Sequence, residues 1–598
     1  MDQLGQEDPK STQRLLWATV VMAVIFGLWA WLMAPTRQAA GAPEKAPAQA
    51  QGAAAKPGEA KPSPPASVEA AAPAPAQEAV SAPEEVTVTI ENKELKLILS
   101  NRGAVLDRAE LKEYREKSDA QENDDLVSPL SRAIRTLPLS LETEDAAYDA
   151  QVNGALFHVE QTKAPDGASA VVFTWSDGKG NAVRKELTLP ATGYEAGLKV
   201  SAVKAGKAVT PVPLLWGPGF GRLSATQAKN RYYQQEYVGL VEGGAFEKVQ
   251  RLRVKEGKPK EAGTWGEKGP ISWAAITNNY FAAIFLPASP MPSVKVITAL
   301  LTPEEKKVHP ADSDISLVVA YPGEGKLFLG PKEWRRLSGM GDSFYRLLDW
   351  GSSSFGNAIL HPLSAGLLWG LNHLHRWVGN YGIAIILLTF LIRLAFYPLT
   401  QRSMVKMKEM GEAMKKLKPQ IDRIKAKYKK IGRDMQSRSK MNEEMMALYQ
   451  KEGINPLGGM SGCLPMLLQM PIFFALFTML PRAIELRGAP FFGWIHDLSM
   501  PDPFYILPLL MGASMVFSTL MTSPQGMEGA QKMMLWFMPI FFTYICLWAP
   551  AGLTLYWLVN NLLTMGQQGI INRQVAQRKE EAARGRKSTP KGPSRPSR

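Results

Sequence analysis

The chain has 598 residues, a formal net charge of +14 and only two cysteines, Cys463 and Cys546, both in or beside apolar segments, so no disulfide framework is available to hold a fold. The phosphate-binding pattern G-x-x-x-x-G-K-[ST] is absent, which leaves direct ATP hydrolysis unsupported. The charge is concentrated in two places: 402–453 holds 15 Lys/Arg against 7 Asp/Glu, and 573–598 holds 9 against 2.

In chain order, Leu15 to Ala34 is a run of twenty uncharged residues, long enough at helical rise to cross roughly 30 Å of hydrocarbon. Ala40-Gly41-Ala42 resembles a signal cleavage site. The apolar run, however, exceeds the ~7–15 residues of a signal core, and the leader before it is not net basic. The reading is an uncleaved anchor within 1–34. Ala and Pro dominate 35–85, a composition that cannot bury enough apolar area to offset ordering entropy, and a linker is expected there.

From Val86 short alternating runs begin: 86–90 (VTVTI), 95–100 (LKLILS), 137–143 (LPLSLET), 170–176 (AVVFTWS), 185–190 (KELTLP) and 196–203 (AGLKVSAV), separated by turn residues. Many short strands at this spacing predict a β-sandwich over 86–340. The glycine-rich stretch Trp216 to Gly221 lacks dinucleotide-binding spacing and reads as a loop. His373 and His375 have no Cys or carboxylate neighbours to complete a metal site; beside Trp369 and Trp377 they read as interfacial residues. No cofactor or metal is implied.

Asp342 to Trp350 has helical periodicity and predicts a helix lying flat on a membrane surface. A further helix is expected from about Ile359, running into the apolar stretch Gly382 to Pro398 as a second span. Later spans fall at about Leu464 to Leu480, Phe504 to Met521, Met533 to Trp548 and Gly552 to Ile571, the last two joined by a tight turn at Ala549 to Gly552. The fold class is therefore a polytopic α-helical membrane protein of six spans with a large β domain. Basic loops stay in the cytoplasm, and the two basic segments are separated by four spans, so both fall on that side. Parity then puts both termini in the cytoplasm and residues about 35–360 in the periplasm.

Within 402–453, Met404, Met407, Met410, Met414, Leu417, Ile421, Ile424, Tyr428 and Ile431 recur at three- and four-residue steps, and Met441, Met445 and Leu448 repeat the seam after Gly432-Arg433-Asp434. An antiparallel coiled-coil hairpin with a basic outer face is predicted, suited to anionic lipid headgroups or to a docking partner. The basic tail at 573–598 reads as disordered, with generic attraction for ribosomal RNA phosphates.

Arg393 carries the most information. It lies nine residues before Arg402, hence about 13 Å inside the membrane at helical rise. A cation there costs about 3 kcal/mol on insertion scales, so it must face protein or water. The other spans lack Asp and Glu, which argues against a proton-coupled small-solute transporter. They offer neutral polarity instead: Thr389, Gln469, Ser514 and Ser518, with Asn560, Thr564 and Gln567 sharing a helical face with Tyr556. Together these could line a hydrated groove, or serve as hydrogen-bonding glue between helices.

The segments 389–400 (TFLIRLAFYPLT), 443–459 (EEMMALYQKEGINPLGG), 469–477 (QMPIFFALF), 491–512 (FFGWIHDLSMPDPFYILPLLMG), 537–542 (FMPIFF) and 549–562 (APAGLTLYWLVNNL) closely resemble the YidC/Oxa/Alb membrane-protein insertases. The anchor and β domain look like the Gram-negative type. The resemblance implies a bacterial inner-membrane insertase and folding chaperone, not an enzyme, with a five-helix core over 341–572, a periplasmic β-supersandwich and Arg393 as the groove arginine. Met470, Phe473, Tyr556 and Trp557 match positions that contact a substrate's transmembrane segment. Nascent membrane proteins, lipids, the Sec translocon, and the ribosome and signal-recognition targeting machinery (through 402–453 and the tail) are the implied partners. Two departures stand out: three extra residues before Cys463 in 455–465 (NPLGGMSGCLP), and Trp557 where Tyr is common. A small-solute transporter and a role as assembly chaperone alone are the other readings.

Overall fold

The computed structural model describes residues 78–587, apart from 116–121, 224–226, 228–236, 251–262, 312, 342, 351–358, 432–434, 453–463 and 523–529. The expected anchor, the hairpin turn and Cys463 lie outside the described residues. Among the described residues two antiparallel sheets build the β domain. Strand Leu95–Ser100 buries Leu95, Leu97 and Leu99 and leaves Lys96 and Ile98 part-exposed, the two-residue period of a sheet with one face on a core. It sits in a four-stranded sheet with Thr87–Glu91, Val105–Arg115 and Asn123–Asp125. Thirteen strands among the described residues form the second sheet, whose central run passes from Met291–Leu300 through Gly263–Thr277, Phe281–Pro287 and Glu324–Pro331 to Glu195–Lys204. Apolar side chains of both sheets share one core.

Three expectations for this region are corrected. The run 137–143 is not a strand: only Leu141 makes a bridge, to Leu214, and Leu139 has φ 73°. It instead bonds irregularly to the strand Val212–Trp216, the Leu139 amide donating to the Leu215 carbonyl at 2.8 Å and the Leu215 amide to the Ser140 carbonyl at 2.9 Å. The Leu139 carbonyl also accepts from the fully buried Lys185 ammonium at 2.8 Å, together with the carbonyls of Gly103 at 2.7 Å and Ala104 at 3.1 Å, the acceptors a buried ammonium needs. Residues assigned to the linker also join the domain, since Val80 pairs with Ser176 and the Ala82 amide donates to the Leu156 carbonyl. Finally, no helix lies flat at 342–350. A 3-10 turn, Phe344–Leu348, buries Phe344, Leu347 and Leu348 against the β domain, with Phe344 stacked on Trp273 at 4.8 Å. The apolar face read as membrane-seeking is covered by protein.

Among the described residues seven helices follow: α1 His361–Val378, α2 Tyr381–Ile431, α3 Met435–Lys451, α4 Leu464–Met479, α5 Ile506–Thr522, α6 Ala530–Cys546 and α7 Ala551–Lys587. The helix expected to run unbroken from about Ile359 into the second span is two helices. Gly379 at φ 67° caps α1 in the left-handed region, its amide donating to the His375 carbonyl at 2.7 Å. On α1, Ser364, Leu368 and Leu371 are buried while Trp369 and Trp377 are exposed. His373 stacks on Trp369 and His375 on Tyr381. No cluster of potential metal ligands occurs among the described residues.

Helix α2 continues without a break from the apolar segment into the first arm of the hairpin. Leu417 and Ile421 are buried, and Glu444 on α3 receives the Lys427 ammonium at 2.5 Å and the Tyr428 hydroxyl at 2.8 Å. The first part of the tail is also corrected: α7 extends to Lys587, and Ile571 and Val575 pack on Met404 of α2 at the point where composition had predicted disorder to begin; 588–598 lie outside the described residues.

Among the described residues, α2 is the one helix long and apolar enough to cross a membrane by length and composition; 469–479, 506–521 and 536–546 are apolar but shorter. The helical region carries large apolar side chains on its outer face and buries polar groups among apolar ones such as Leu476, Met511 and Leu553. Leu394, Leu509, Phe517, Phe537 and Ile540 face outward, whereas Thr389, Ser514, Asn560, Asn561 and Gln567 are buried.

The β domain is docked on the loop between α4 and α5. Arg487 makes a bidentate pair with Asp124, at 2.5 and 2.8 Å, and its guanidinium lies over the rings of Tyr280 and Phe281 at 5.3 and 5.0 Å. Arg482 pairs with Asp349 at 3.5 Å, and the Tyr280 and Ser499 hydroxyls share a 3.1 Å hydrogen bond. The same loop receives the start of α7, where Ala551 and Gly552 amides donate to the carbonyls of Met500 and Leu498, satisfying donors that a helix N-terminus leaves open.

Candidate functional site

Two helices create the site. Along α2, Arg393 and Thr400 are seven residues apart; along α7, Asn560, Gln567 and Gln574 have the same spacing. Two helical turns bring each set onto one face. Arg393 Nε donates to Asn560 Oδ1 at 2.8 Å, and Nη2 donates to the Asn560 carbonyl at 3.3 Å and to the Thr564 hydroxyl. Gln567 donates to Thr400 at 3.1 Å and to Gln401 at 3.3 Å, Gln401 donates to Gln574 at 3.0 Å, and Lys408 reaches Asn572. From Arg393–Asn560 to Lys408–Asn572 the contacts advance along both helices, so α2 and α7 run parallel.

Arg393 is half-buried and no carboxylate pairs with it among the described residues. Its partners are amide, carbonyl and hydroxyl groups, which orient the guanidinium without cancelling its charge. That leaves a fixed positive charge in a setting where water screens poorly.

The remaining candidates divide. Gln469 donates to the Tyr556 hydroxyl, linking α4 to α7. Phe473 and Trp557 meet edge-on at 4.6 Å, and Phe542 of α6 packs on Trp557 at 4.7 Å. Met470 is half-buried beside Gln469 on α4. Ser514 accepts from Asn561 at 3.0 Å, tying α5 to α7, and Ser518 lies one turn further along α5. Thr389 is not brought to the arginine: its hydroxyl returns to the Ile385 carbonyl at 2.7 Å within its own helix. Sequence reasoning missed Asn561, Thr400, Gln401 and Gln574. The matched seven-residue spacings were the available signal for Thr400 and Gln574.

Apolar outer faces around an interior that buries polar groups beside Arg393, with a β domain packed on the loop after α4, mark a helical membrane protein with a large extramembrane domain. The comparisons make this specific. The family model described as 60Kd inner membrane protein matches residues 373–579, and that of the YidC periplasmic domain matches 87–363. The membrane protein insertase YidC of Citrifermentans bemidjiense is 33% identical over 501 residues, covering 82% of this chain and 86% of that one. Its counterpart from Anaeromyxobacter dehalogenans is 35% identical over 510 residues, covering 81% and 85%. Among solved structures, an active YidC insertase with its first transmembrane domain resolved covers 82% of this chain and 93% of its own, at 17% identity and a TM-score of 0.31. The chain belongs to the YidC family of inner-membrane protein insertases.

Proposed function

We propose that this membrane protein insertase works through a polar groove centred on Arg393, open to the cytoplasm and to lipid, which receives the polar translocated segment of a nascent membrane protein. The single observation that carries the reading is the arginine's retinue of neutral partners, which leaves its charge available to an acidic segment. The substrate's apolar segment then partitions into lipid beside Met470, Phe473, Tyr556 and Trp557, driven by burial. Gln469, Ser514, Ser518, Asn560 and Thr564 supply the groove's neutral polarity, with Thr389 part of the α2 wall.

The same reading gives six spans: the anchor at 15–34 together with α2, α4, α5, α6 and α7. Parallel α2 and α7 support it, because helices separated by an even number of crossings must run the same way. Both termini and the α2–α3 hairpin are then cytoplasmic and the β domain periplasmic. The basic hairpin and tail dock the ribosome or the signal-recognition targeting machinery, and the Sec translocon is a further partner. The decisive experiment compares one substrate carrying acidic or neutralised translocated tails. Arg393→Ala should slow the acidic-tailed substrate most, whereas Arg393→Lys should retain much of its insertion because a point charge suffices. Equal slowing of both tails by Arg393→Ala would assign the arginine to hydrating the groove instead.

A further inference from the structure

We infer that Asn560 sets the charge selectivity of the groove: it is a positioning residue that holds Arg393 in place as an uncharged acceptor, so that an acidic substrate segment, and not the protein, supplies the countercharge. This rests on the electrostatic reading of Arg393 above.

An arginine offers five N–H donors. Three are used here, Nε by Asn560 Oδ1 and Nη2 by the Asn560 carbonyl and the Thr564 hydroxyl. The Thr564 hydroxyl in turn donates to the Asn560 carbonyl at 2.7 Å, so it is committed as an acceptor toward the arginine. One edge of the guanidinium is thereby fixed against α7. Nη1, with two N–H groups, makes no hydrogen bond to a described residue, and those two donors remain for a ligand.

The chemistry of position 560 is the informative part. Its side chain acts on the arginine only through Oδ1, and its amide nitrogen makes no hydrogen bond to a described residue. An aspartate has the same shape, offers the same oxygen, would lose no such bond, and would hold a guanidinium more strongly through a charge-assisted pair. For anchoring the arginine alone, the carboxylate is the better residue. The amide does what a carboxylate cannot: it fixes the cation and leaves it a cation. Asn561, the next residue, turns to Ser514 on α5, so position 560 is dedicated to α2.

The test uses the full-length protein in liposomes and one single-span substrate whose translocated tail carries aspartates, asparagines or lysines. The readout is the ratio of insertion rates between tails within each variant, which cancels any loss of folded protein. The wild type should favour the aspartate tail over the asparagine tail and disfavour the lysine tail. In Asn560→Asp both ratios should collapse to about one. Thr564→Val, which removes an acceptor and adds no charge, should keep the wild-type order. Wild-type ratios persisting in Asn560→Asp would overturn the inference. Ratios of one in the wild type would instead overturn the electrostatic reading on which it stands, and this inference with it.

Discussion

Arg487→Ala is the most exposed consequence of the way the β domain is docked. The pair it makes with Asp124 joins residues from the β domain and from the loop after α4, with side chains only 10% and 8% exposed. Removing the guanidinium strands a carboxylate in that setting, and breaking a buried pair in this way costs about 3–5 kcal/mol. At roughly 1.4 kcal/mol per decade, local opening of the interface should become on the order of a hundredfold to several thousandfold more frequent. Hydrogen exchange of purified protein would read this as faster exchange across 484–500, where amides such as Leu486, Ile495 and Leu498 are hydrogen-bonded within the loop. Arg487→Lys keeps the charge and loses the bidentate geometry, so its effect should be intermediate. Asp124→Ala combined with Arg487→Ala should be milder than the sum of the two, because the double variant leaves no charge stranded. Unchanged exchange in Arg487→Ala, or full additivity in the double variant, would refute the claim that this contact holds the domain to the core.

Two further outcomes follow from the packing of α1, α2 and α7. Replacing 412–451 by a short neutral linker should abolish insertion while preserving the α2–α7 contacts, since Met404 and Lys408 remain to pack on α7; normal insertion would reduce the hairpin to a lipid-facing surface. His361 is buried between Tyr345 and Trp350 at the start of α1, and burial pushes its pKa below the usual value, with Arg346 adding to the effect and a hydrogen bond to the Tyr345 carbonyl opposing it. The unfolded state therefore takes up a proton first, and stability present above about pH 6.5 is lost as pH falls below it. Melting temperatures measured from pH 7.5 to 5 should show that loss, and His361→Gln should flatten it.

The sequence was most readable where a period governs the structure. Strand runs such as 95–100 and 170–176 alternate because one face is buried, and helices occupy the later apolar segments because their length and composition leave few alternatives. The face shared by Asn560, Thr564 and Gln567 was legible for the same reason, and two of those residues meet Arg393. What escaped depends on distant partners. Nothing near Leu139 announces that its carbonyl serves Lys185, and the Asp124–Arg487 pair spans 363 positions. The amphipathic 342–350 segment displayed an apolar face without saying whether lipid or a β domain would cover it. The helical end of α7 was hidden because Ile571 and Val575 find their partner, Met404, on another helix.

Site-specific photocrosslinking tests the central claim most directly. A photoreactive residue placed at Gln469, Met470, Phe473 or Thr564 should crosslink to a ribosome-bound nascent membrane protein whose transmembrane segment is entering the bilayer, while the same probe at lipid-facing Ile540 should not. Equal crosslinking from both sets, or none from the groove set while insertion proceeds, would contradict the account.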